Sequence, residues 1–130
     1  MLERDIVAAI KKYLASLGGG VFFWKEHGGP YGTSGVPDII ICYKGRFIGM
    51  ECKLPGGRLT ELQKRAIHKI NQAGGIARRV ESVADAMAVI QQADDELAGR
   101  FMNTKQVRTF VWESEKYRYG KESIRIEDRP

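Results

Sequence analysis

The sequence predicts a mixed α/β fold, a β-sheet flanked by helices in the order αβββαβα. Three observations carry that expectation. Apolar residues recur at helical spacing in three separate stretches. Short β-rich runs lie between those stretches. Two of the runs, residues 36–43 and 46–53, are separated by Lys44-Gly45 alone, which reads as a two-residue hairpin loop.

Taken in order, residues 2–17 place Ile6, Ile10, Tyr13, Leu14 and Leu17 on one helical face, and three glycines stop the helix. Residues 21–25 form a short β-rich run. A glycine-rich loop over residues 26–35 follows, and then the hairpin, which ends at Pro55-Gly56-Gly57. Thr60 opens a second helix with Leu62, Ala66, Ile67 and Ile70 on its apolar face, closed by Gly74-Gly75. Residues 76–80 make another strand, and Ser82 caps a third helix carrying Ala86, Val89 and Ile90. Asp94-Asp95-Glu96 marks a boundary. The expected organisation is a core over residues 1–92 and an extension over 93–130, in which residues 107–112 and 117–126 read as a second, exposed hairpin.

The chain has 130 residues, 43% apolar and 28% charged, which is one domain's worth of globular sequence. No apolar run approaches the length of a membrane span. The opening Met-Leu-Glu-Arg-Asp has acids where a signal peptide carries a basic flank, so an intracellular location is expected. Cys42 and Cys52 are too few for a disulfide scaffold, and the hairpin register holds them too far apart to bond. The net charge of +5 is uneven. Through Gln92 there are thirteen basic and eight acidic residues, and after it eight of each. The excess positive charge in the core points to an anionic partner there.

The informative segment is Gly35-Val36-Pro37-Asp38, followed by Glu51-Cys52-Lys53. Strand alternation puts Glu51 and Lys53 on one face and Cys52 on the other. If Lys44 and Gly45 form the loop, Tyr43 pairs with Arg46, and counting outward sets Asp38 opposite Glu51. Pro37, with no N–H to donate, marks the strand start. Two opposed carboxylates repel and call for a cation, and one lysine neutralises only one of them. A hard ion such as Mg²⁺ suits two carboxylates and retained waters. With Lys53 beside it, that arrangement is suited to phosphodiester hydrolysis. A surface salt-bridge cluster is the plain reading of Glu-x-Lys alone, and the register match and the preceding Pro-Asp argue against it.

Gly35-x-Pro37-Asp38, Glu51-x-Lys53 and Gln63 early in the next helix resemble the PD-(D/E)xK nuclease superfamily, and within it the VRR-NUC family of virus-type replication-repair nucleases. The resemblance covers residues 1–92 and implies a restriction-endonuclease-like fold. It implies that Asp38 and Glu51 bind metal with the Cys52 backbone carbonyl and with Glu3 through water, that Lys53 is the catalytic lysine, and that Glu3 and Gln63 complete the catalytic set. Glu3 has a second reading, as an acid favoured at a helix N-terminus. Gln63 has one too, as the partner of Thr60 in a capping box.

Arg58 and Lys64 flank this segment and are candidates for phosphate contacts. Lys25, His27 and the glycine-rich loop read either as a strap over the nucleic-acid backbone or as a plain connector. The resemblance implies a Mg²⁺- or Mn²⁺-dependent, structure-selective DNA endonuclease with no organic cofactor, acting in DNA repair as a homodimer. Its expected substrate is branched DNA such as a Holliday junction. The aromatic extension (Phe110, Trp112, Tyr117, Tyr119) is a candidate dimer contact. The alternatives are a non-catalytic nucleic-acid-binding module and a sequence-specific restriction-type endonuclease.

Overall fold

A computed structural model describes residues 1–27 and 34–101, with backbone alone at residues 100 and 101. The expected second hairpin at 107–126, with its aromatic residues, lies outside the described residues. Helix α1 (Glu3–Ala15) begins where the Asp5 carboxylate accepts the free Leu2 N–H, and it buries Ile6, Val7, Ile10 and Leu14. A 3₁₀ turn (Gly18–Gly20) leads into β1 (Val21–Lys25). Strands β2 (Ile39–Tyr43) and β3 (Arg46–Cys52) pair antiparallel in the expected register, from Tyr43 opposite Arg46 to Ile39 opposite Met50. At their turn both Lys44 (φ 49°) and Gly45 (φ 83°) occupy the left-handed region, as a primed two-residue turn requires. β2 starts three residues later than expected, because Pro37 cannot join the ladder and Asp38 turns its side chain to other work.

Helix α2 (Glu61–Gln72) carries the chain back to β4 (Ile76–Val80), which pairs parallel to β3. The sheet order is β1-β2-β3-β4. β4 is an edge strand among the described residues, and Asn71 blunts it. The Asn71 side-chain amide accepts from the Ala77 N–H at 2.8 Å and donates to the Ala77 carbonyl at 3.1 Å. Helix α3 (Val83–Phe101) starts at Ser82, whose hydroxyl accepts the Asp85 N–H. It runs through Asp94–Glu96 without a break, while the compact unit that contains the sheet ends at Ala93.

The two faces of the sheet differ. Ile39, Ile41, Tyr43, Ile48, Met50, Cys52, Ile76 and Val80 bury one face against α1 and the first turns of α3. The other face carries α2 over β3 and β4, and no residue of α2 is fully buried. Leu62, expected on its covered side, is half exposed. Toward β1 and β2 this second face leaves Phe22, Trp24, Cys42 and Phe47 exposed.

Candidate metal and phosphodiester site

The site lies where the β2–β3 ladder ends. Beyond the Ile39–Met50 pair the two strands are joined by side chains as well as backbone. The Asp38 N–H donates to Glu51 Oε2 at 3.1 Å, and the Cys52 N–H donates to Asp38 Oδ2 at 2.8 Å. Each carboxylate therefore takes a backbone N–H from beside the other, which holds both in fixed positions. The Asp38 carbonyl accepts the Glu26 N–H at 2.7 Å, tying the end of β1 to the same point.

Among the described residues Glu51 is the buried charged one, only 2% exposed. Its Oε1 accepts from Gln63 Nε2 at 2.6 Å, and Lys53 Nζ stands 3.8 Å away. Burial and then the Asp38 charge push Glu51 up to about 7; Lys53 and the Asp38 N–H work in the opposite direction but do not overcome them. Burial, followed by the same two carboxylates, pushes the Cys52 thiol up to about 12, so it stays protonated and is no nucleophile.

Gln63 forms the cap read from the sequence and also reaches the buried carboxylate. Its N–H donates to Thr60 Oγ1 and its Oε1 accepts the Thr60 N–H, completing a capping box. The amide nitrogen left over donates to Glu51. One residue thus fixes both the start of α2 and the orientation of the buried carboxylate. Gly35 (φ 81°) brings the preceding loop onto the same helix start, where a Cβ would lie 2.3 Å from the Leu62 carbonyl oxygen. Only glycine fits there.

The remaining candidates fall outside this group. Glu3 is exposed on α1, and its charge is felt at Glu51 and Cys52 only as the smallest contribution. No group of three or more His, Cys, Asp or Glu side chains converges among the described residues, so Glu3 does not complete a three-acid cluster. Lys25 alternates onto the α1 side of the sheet, and its ammonium donates to the Glu26 carbonyl. His27 and Arg58 are exposed, and Lys64 pairs with Glu61 at 3.1 Å one turn back.

Sequence reasoning missed Arg79, which sits opposite Glu51 in the parallel β3–β4 register. Its guanidinium donates to the Leu54 carbonyl at 3.1 Å and to the Gly57 carbonyl at 2.9 and 3.2 Å, and it pairs with Glu81. It thereby anchors the loop that leaves Lys53. Nothing in the local sequence identifies it, because its partner loop is more than twenty residues away and the strand pairing must be known first.

The chemistry of this donor set fits a hard divalent cation. Two fixed carboxylates lie side by side with one ammonium near Glu51, and Asp38 Oδ1 accepts no hydrogen bond from a described residue. The N–H and C=O of one strand residue lie on the same edge. Since the Cys52 N–H points to Asp38, the Cys52 carbonyl faces that side as well. One or two carboxylates, a carbonyl and waters are what Mg²⁺ takes.

No family model matches the sequence, and comparison with curated proteins gave no match. Solved structures do match. A "VRR_NUC domain protein" superposes with a TM-score of 0.56 at 18% identity, covering 71% of this chain and 87% of its own. A "VRR_NUC domain" superposes with a TM-score of 0.58 at 21% identity, over 68% and 94% of the two chains. The fold of this chain is that of the VRR_NUC domain, a four-stranded mixed sheet flanked by helices. Among the described residues no helix is long and apolar enough to cross a membrane.

Proposed function

We propose that this chain is a divalent-metal-dependent, structure-selective DNA endonuclease that hydrolyses phosphodiester bonds. The observation that carries the reading is the interlocked carboxylate pair with Lys53 beside it, in a fold shared with VRR_NUC domains. Asp38, Glu51 and the Cys52 carbonyl would hold the cation, Mg²⁺ or Mn²⁺. When bound, it supplies Lewis acidity to a phosphate oxygen and lowers the pKa of a water. Lys53 orients the attacking water and balances the charge that develops on the phosphate. Gln63 fixes the orientation of Glu51 through its amide nitrogen, and Glu3 would act from outside through water. The core's excess of basic residues draws in the DNA backbone.

A chain this small offers little surface for reading bases, so shape governs its choice of substrate. Branched DNA such as a four-way junction is the preferred substrate. A two-fold dimer places two sites on it. Labelled junction, flap and plain duplex, incubated with Mg²⁺ or Mn²⁺ and with chelator, test the reading. Metal-dependent cutting of the branched substrates is expected, and Lys53→Ala removes it while DNA binding and melting stay near the parent. Discrete fragments from plain duplex would indicate sequence-specific cutting instead. No cutting with either metal, or full activity in Lys53→Ala, contradicts the proposal.

A further inference from the structure

The sheet face that carries the carboxylates also carries an exposed set of aromatic rings. Phe22, Cys42 and Phe47 lie side by side across β1, β2 and β3, and Trp24, Ile40 and Gly49 form the next row toward the site. Asp38 and Glu51 form the row after that. Successive rows on one face are roughly 6.7 Å apart, so the outer rings lie on the order of 13 Å from the carboxylates. Phe22, Trp24 and Phe47 are 69%, 45% and 46% exposed. The Phe22 and Trp24 rings sit with centroids 6.0 Å apart, and Trp24 is held by its indole N–H on Glu26 at 2.9 Å. Beyond Phe22 the face ends in an open cavity of about 270 Å³ walled by Gly20, Phe22, Cys42 and Lys44, large enough for a base.

We propose that this half of the sheet is a stacking track for unpaired bases of the strand being cut. The inference rests on the nuclease reading and names the substrate feature it recognises: single-stranded nucleotides adjoining the scissile phosphate. Three features favour this occupant. The rings share one sheet face with the carboxylate site, and Trp24 is the exposed residue of the row between them, where Ile40 and Gly49 are buried. Its row spacing is about twice the 3.4 Å rise of stacked bases, which suits a stretched strand. Its exposed ring area comes to roughly 300 Å², taking 150–250 Å² per ring, well short of about 800 Å² per partner in a stable protein interface. Aromatic rings on an open sheet stack bases of any sequence, in keeping with recognition by shape.

The test uses the full chain with Trp112→Phe, which leaves Trp24 as its one tryptophan, in chelator so that nothing is cut. A short oligothymidylate should quench Trp24 emission, whereas blunt duplex of equal phosphate count should not. Read by the anisotropy of end-labelled oligothymidylate, Trp24→Ala should weaken binding about tenfold, Trp24→Phe should restore most of it, and Phe22→Ala and Phe47→Ala should each weaken it about fivefold. These side chains are exposed, so melting should change little.

Lys53→Ala should be quenched like the parent even though it does not cut, which separates the track from the chemistry. Ala variants that bind oligothymidylate like the parent overturn the track, even if the parent cuts DNA. Variants that turn a dimer into a monomer while binding DNA normally assign the face to a second copy and overturn it too. So does Trp24 emission already shielded from acrylamide in the free chain, which would mean that the chain's own residues 102–130 cover the face.

Discussion

Glu51 is a buried carboxylate whose partners do not balance it. Desolvation and Asp38 outweigh Lys53, so in metal-free protein it takes up a proton near pH 7 instead of at its ordinary 4.5. The sign of the linkage follows. A raised acid contributes stability that is fully present below its unfolded pKa and is lost as pH rises through the folded value. Between pH 4.5 and 7 the metal-free chain should therefore lose about 3 kcal/mol through this residue. Glu51→Gln should flatten that loss and melt several degrees higher at pH 8 in chelator, as thermal unfolding across pH will show. Cations compete with the same proton, so apparent Mn²⁺ affinity should fall about tenfold per pH unit below 7.

Gln63 both caps α2 and hydrogen-bonds Glu51. The Thr60-to-Gln63 spacing made the capping box legible in the sequence, because a cap depends on local geometry alone. The bond from its amide nitrogen to Glu51 depends on where α2 lands on the sheet. Thr60→Ala should cost about 1 kcal/mol and leave turnover intact. Gln63→Glu keeps an acceptor for the cap but sets a carboxylate against Glu51; it should melt near the parent and cut at least tenfold more slowly. Melting curves beside single-turnover rates separate the two.

At the scale of elements, the hairpin was the most legible part of the chain. Two residues between strands leave one register, and that register alone predicts Asp38 beside Glu51. The apolar stripes of α1 and α3 were legible for the same reason, since each buries a single face. α2 was less so, because a helix start held by Gln63 and Gly35 leaves Leu62 half exposed where periodicity implied cover. The parallel β3–β4 pairing, and with it Arg79, was hidden, because no turn length ties those strands together. Arg79→Ala removes three hydrogen bonds to the loop after Lys53 and should cost about 2 kcal/mol. Denaturant unfolding measures that loss.

At the scale of the whole molecule, charge and fold point the same way. The basic excess belongs to the segment that forms the sheet and its helices, and three of that segment's eight acids are Glu3, Asp38 and Glu51. Were Asp38 and Glu51 neutralised by the proposed cation, the surface would be more basic than +5 implies, as the proposed DNA substrate requires. The central claim is that those two carboxylates hold the cation. Crystals of the full chain soaked in Mn²⁺ and measured for anomalous scattering test it directly. A peak is expected between Asp38 and Glu51, within coordination distance of the Cys52 carbonyl, and it should disappear in Asp38→Asn. A saturated soak with no peak there, or a peak that survives Asp38→Asn unchanged, contradicts it.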